Sequence, residues 1–160
     1  MKTVFLLLCA AAALTGVVPF RAVPTRCSAG WTQIGGRCFI YVAAKLKWSE
    51  AEEKCVSMKA NLVSVHSTAE YNSIHSLIRR SSTRNDRTWI GGTYCQMEQI
   101  WLWSDGTAFD YPHCGRFDNR KKKQHCLQMN TGGRNCWDDE KCSFRRPSVC
   151  AKGKSYPGVG

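Results

Sequence analysis

The spacing of apolar positions changes character several times along the chain, and each change marks an element. Val4 to Leu14 is an unbroken apolar run behind Lys2, and small residues follow at Thr15 and Gly16. That is the pattern of a secretory signal peptide. The run is well short of the ~20 apolar residues of a membrane-spanning helix, and no later segment is apolar enough to span. Cleavage is predicted near residues 15–18. The expected organisation is a signal peptide over 1–18, a short N-terminal segment over 19–26, one domain over 27–152 and a flexible tail over 153–160. A core domain of this length suits a single hydrophobic core.

Within the domain, WTQIGGRCFIYV reads as two short strands around a Gly35–Gly36 turn. In WSEAEEKCVSMKA the apolar positions Ala51, Cys55 and Met58 recur at helical spacing, and Ser49 with Glu52 forms a capping box, predicting a helix over 49–59. STAEYNSIHSLIRR repeats the pattern. Ser67 caps, Glu70 answers, and Tyr71, Ile74, Leu77 and Ile78 share one face, predicting a helix over 68–79. NLVSV between them is a short strand. Beyond residue 88 the period is that of strands and turns: TWIGGTY, IWLWSDG, HCLQMN and PSVCAK. Two early helices followed by many short strands predict an α+β domain, with Trp89, Trp101 and Trp103 in its core.

Charge adds a partner class. The formal net charge is +11, with 23 basic and 12 acidic residues. The cations fall in clusters: Arg79, Arg80, Arg84 and Arg87; Arg145, Arg146, Lys152 and Lys154; and, inside CGRFDNRKKKQHC, Arg116, Arg120, Lys121, Lys122 and Lys123 around one carboxylate, Asp118. Such a field draws anionic partners and weakens with salt. For a secreted protein these are sulfated glycans, microbial envelopes and anionic lipid rather than nucleic acid.

The cysteines point the same way. Ten occur, and Cys9 leaves with the signal peptide, so nine remain. In an oxidising compartment this density implies a disulfide framework. Nine is odd, so at least one keeps its thiol or bonds to another chain. No CxxC pair supports zinc. His66, His75, His113 and His125 lack ligand spacing, and there is no nucleophile elbow, phosphate loop or paired-carboxylate signature. Enzymatic activity is not expected.

Several strings occur in order and together resemble one family: CSAGWTQIGGRCF, the helix around Cys55, WIGG at 89–92, WLWSDGTAFDY at 101–111, CLQMN at 126–130, CWDDEKC at 136–142 and SVCAK at 148–152. They are similar to a C-type lectin-like domain, and among its members to the small secreted fish lectins and type II antifreeze proteins. The resemblance runs from Cys27 to about Lys152. It implies the C-type lectin-like α+β fold: two helices, short antiparallel sheets and a long loop region. It also implies disulfides Cys27–Cys38, Cys55–Cys150 and Cys126–Cys142, with Cys114–Cys136 as the extra bridge of the antifreeze relatives. Those relatives carry a cysteine at the place of Cys95, but its partner's place is occupied here by His125. Cys95 is therefore expected in an intermolecular disulfide that makes a homodimer, the alternatives being a buried thiol or a small-thiol cap.

Sugar-binding members hold Ca²⁺ with a Glu-Pro-Asn or Gln-Pro-Asp loop, a Glu two residues before a cysteine, and an Asn-Asp pair after a tryptophan. Ca²⁺ takes six to eight oxygens at about 2.3–2.6 Å. At the matching positions this chain has Arg116, Phe117 and Asp118, then Gln124, then Asp138 and Asp139. Arg116 supplies donors only. Phe117 replaces the proline, so the loop is expected to take another shape. Asp118, Gln124, Asp138 and Asp139 are vestigial Ca²⁺ positions, and no cofactor is expected; Ca²⁺ bound there is the alternative. The implied function is a secreted lectin with an innate-defence role. It reads anionic glycans or microbial surfaces without Ca²⁺ through Arg116, Asp118, Asn119, Arg120, Lys121, Lys122, Lys123, Gln124, Asp138 and Asp139. Two other readings follow from the same residues: an ice-binding protein, and a lectin-like domain that binds protein or acts in a toxin.

Overall fold

The computed structural model describes residues 27–82, 84–95, 97, 99–115, 117 and 123–153. The signal peptide, the N-terminal segment and all of the expected tail except Gly153 lie outside these residues. The elements run β1 (Thr32–Ile34), β2 (Arg37–Leu46), α1 (Trp48–Ser57), β3 (Asn61–Leu62), α2 (Thr68–Ser81), β4 (Thr88–Cys95), β5 (Ile100–Trp103), β6 (Cys126–Thr131), β7 (Cys136–Glu140) and β8 (Arg146–Lys152).

The strands join in one sheet of order β1-β2-β8-β4-β6-β7, with β3 added on β8 and β5 on β4. Pairing is antiparallel except between β4 and β8, which meet in parallel at Trp89 and Ser148. Alternation along the strands fills two cores. Ile90, Leu127, Met129 and Val149 pack with Tyr71, Ile74, Leu77 and Ile78 of α2. Trp89, Cys126 and Cys150 pack with Ala51 and Cys55 of α1. Trp89 and Trp103 are buried, and Trp101 packs half-buried on the first core.

Four disulfides close the frame: Cys27–Cys38, Cys55–Cys150, Cys114–Cys136 and Cys126–Cys142, the pairing that the resemblance implies. Cys95 ends β4, half-buried and outside these bridges.

Arg37, 4% exposed, is the polar link between the halves. It donates to Ser64 O at 2.9 Å and to Glu70 Oε1 at 2.7 Å, and lies 3.7 Å from Asp105. The WIGG string owes its glycine at 91 to close packing: a Cβ there would stand 2.6 Å from the carbonyl oxygen of Leu62.

One expectation needs correction. The capping box Ser49–Glu52 is not formed. The N-cap is Lys47, and the backbone N–H of Lys47 donates to Glu50 at 3.1 Å. Glu52 turns away to accept from Asn61 Nδ2, from the Leu62 N–H and from Ser104. The chain enters the helix earlier because the N–H of Trp48 donates to Cys142 O and its indole to Ile90 O. CWDDE, outside the strands that the apolar pattern predicts, is strand β7, with Trp137 and Asp139 inward.

Candidate functional site

The site begins at the loop that leaves Cys114 and returns at β6. Cys114–Cys136 ties its first residue to the start of β7, and Cys126–Cys142 ties β6 to the segment after β7. Both ends of the loop are thus fixed covalently to the sheet edge that carries Trp137, Asp138 and Asp139.

Phe117 holds the loop between those ends. Its ring lies 5.6 Å from Trp101, 6.2 Å from Phe109 and 6.3 Å from Trp137. Trp137 in turn meets Trp103 edge-on at 5.6 Å. Aromatic pairs at these separations add to the area they bury. Gly115 is required here, since a Cβ would stand 2.4 Å from the Phe117 ring and 2.6 Å from the carbonyl oxygen of Trp137. Beside the cluster, His113 stacks on Tyr71 at 3.7 Å, with its Nδ1 3.1 Å from the Tyr111 hydroxyl. Burial pushes the His113 imidazole below its usual value.

Of the expected site residues, Arg116, Asp118, Asn119, Arg120, Lys121 and Lys122 lie outside the described residues. Lys123 is exposed and Gln124 half-buried. Asp138 and Asp139 sit side by side in β7 but alternate across it. Asp138 faces Gln128 of β6, whose Nε2 donates to it at 3.4 Å, whereas Asp139 is 1% exposed. Among the described residues no three His, Cys, Asp or Glu side chains stand together as a metal site. Asp138 and Asp139 keep oxygens at the paired positions after Trp137, while Gln124 offers only an uncharged amide oxygen toward the oxygen-rich sphere that Ca²⁺ needs.

The anchoring role of Phe117 was not foreseen. Its signal is present in the sequence: one large apolar ring in a run of cations has only the core to go to.

The sequence profile of the lectin C-type domain family matches residues 44–152. The galactose-specific lectin nattectin of Thalassophryne nattereri is 38% identical, covering 94% of each chain. The type-2 ice-structuring protein of Hemitripterus americanus is 35% identical, covering 94% of this chain and 98% of the relative. The crystal structure of a calcium-independent type II antifreeze protein superposes with a TM-score of 0.70 at 37% identity, over 79% of this chain and 94% of the other.

Proposed function

The chain belongs to the lectin C-type domain family, and from that premise we propose that it is a secreted carbohydrate-binding protein. In this reading it takes anionic glycans, or microbial surfaces that carry them, without Ca²⁺ at the usual sugar position. The observation that carries the reading is the loop chemistry. Arg116 replaces an oxygen ligand, and Arg120 with Lys121, Lys122 and Lys123 crowds the same loop. Phe117, where proline would stand, is drawn into the aromatic cluster. Guanidinium and ammonium groups donate charge-assisted hydrogen bonds to sulfate, phosphate and carboxylate. Secretion rests on the leader pattern of residues 1–18. The role is binding rather than catalysis.

With Cys9 lost alongside the leader, nine cysteines remain, and that odd number supports a covalent homodimer through Cys95, which would raise avidity at a repetitive surface. A dimer band on non-reducing electrophoresis that collapses with reductant is the expected result; a monomer band under both conditions rejects the dimer.

Charge-neutralising the loop with Lys121→Gln, Lys122→Gln and Lys123→Gln tests the glycan reading. Retention on a sulfated-polysaccharide column should drop to a lower eluting salt concentration. Unchanged retention argues against it.

Ice binding is the second reading, favoured by the antifreeze relatives and the Cys114–Cys136 bridge. Strongly hydrated cations oppose a surface that must match ice. Thermal hysteresis at millimolar protein would support this second reading in place of the first.

A further inference from the structure

Away from the loop, a cleft of about 310 Å³ opens where four strands end or begin. Lys45 comes from the end of β2, Arg87 from just before β4, Asn130 from late in β6, and Arg145 and Arg146 from the entry to β8. The sequence clusters around Arg87 and around Arg145 were separate along the chain. The parallel contact of Trp89 with Ser148 brings them together, because Arg87 and Arg146 each precede their member of that pair by two residues. Four cations and one carboxylate, Asp86, line the cleft. Elsewhere, Arg145 lies 3.3 Å from Glu50 and Arg146 lies 3.7 Å from Glu140. Burial and the neighbouring Arg87 push the Arg146 guanidinium below its usual value, a sign of like charges held close.

Among the described residues, two buried polar atoms of the lining lack a hydrogen-bond partner: Nε of Arg146, a donor, and Oδ1 of Asn130, an acceptor. Asn130 is 5% exposed, and its Nδ2 already donates to Asp86 O at 3.2 Å, which leaves Oδ1 to accept. Its backbone φ is +68°, a conformation that asparagine tolerates better than most residues. An orphaned buried polar group costs stability, so a ligand that satisfies both atoms at once has a clear gain.

We propose that this cleft is a second ligand site, separate from the loop, for a sugar carrying a sulfate or phosphate ester. The oxyanion sits among Arg87, Arg145, Arg146 and Lys45, and receives a hydrogen bond from Arg146 Nε. A ring hydroxyl donates to Asn130 Oδ1. The volume lies at the small end of ligand pockets, the size for one substituted ring rather than a chain. The cleft and the loop enter β6 from opposite ends, so a glycan can engage one without the other.

Calorimetric titration of the mature protein tests this, with a hexose 6-sulfate, the same hexose 6-phosphate, the unsubstituted hexose and inorganic sulfate as probes. At least one ester should saturate, and the stronger of the two identifies the anion. It should bind about tenfold tighter than the free sugar or inorganic sulfate. Arg146→Gln should weaken it about tenfold, and Asn130→Gly should weaken the ester but not inorganic sulfate. Arg145→Gln and Lys45→Gln alter exposed side chains and should also weaken it, so the result does not hang on the folding of one variant. In the triple loop variant one saturating ester site should remain, and adding Arg146→Gln to that variant should weaken it about tenfold. No saturation by either ester up to about 10 mM, equal affinity in all cleft variants, or loss only in the loop variant overturns the proposal. The last outcome overturns the cleft while leaving the loop reading intact.

Discussion

Phe117 and His113 show how single side chains set the behaviour of the loop. Phe117 is half-buried, so Phe117→Ala should cost roughly 1–2 kcal/mol, less than the ~3–5 kcal/mol of a fully buried phenylalanine. It should also loosen the loop and weaken anionic-glycan binding; thermal denaturation with a binding isotherm reads both. His113 is held below its ordinary value by burial, and His75 by burial and by Arg79. A histidine whose folded value is depressed stabilises the fold fully above its unfolded value of ~6.5. That contribution is lost as pH falls from there through the folded value. The melting temperature should therefore drop between about pH 7 and pH 5. His113→Phe, which keeps a ring on Tyr71, should flatten part of that drop. A profile identical to that of the parent protein would remove His113 from the account.

At the scale of elements, the helices were legible because each buries a stripe at helical period against one face of the sheet. Their starts were less so. A serine three residues before a glutamate predicts a cap, but Glu52 is needed by the Leu62 N–H and Asn61, and Glu50 serves the helix start. Strand β7 was hidden for a different reason. Its inward positions alternate properly, but one of them is the carboxylate of Asp139, so the apolar pattern breaks where the structure does not. Arg37 joins β2 to α2 and to the segment around Asp105. Arg37→Met should leave Glu70 and Asp105 without their cation and cost about 3–5 kcal/mol, measured by denaturant unfolding. Replacing Cys114 and Cys136 together by serine opens a loop with a separation of 22 residues and should cost about 3 kcal/mol. The other three bridges should persist by mass spectrometry of the unreduced protein.

For the whole molecule, the ordered strings and the cysteine spacing carried the family, because they are the positions where backbone approach and disulfide geometry admit few alternatives. Gly91 in WIGG is an example: its motif residue is the one that lets β4 lie against β3. The cleft was not legible, since Lys45, Arg87, Asn130 and Arg146 are brought together only by strand pairing across distant parts of the chain. The same surface chemistry makes the account testable at this scale. A panel of sulfated, sialylated and neutral glycans, probed with Ca²⁺ or with EDTA and at low and high salt, separates charge-driven from metal-dependent binding. Binding to sulfated glycans should survive EDTA and fall by about tenfold or more as salt rises from about 0.05 M to about 0.5 M. Binding to a neutral sugar that requires Ca²⁺ and ignores salt would contradict it.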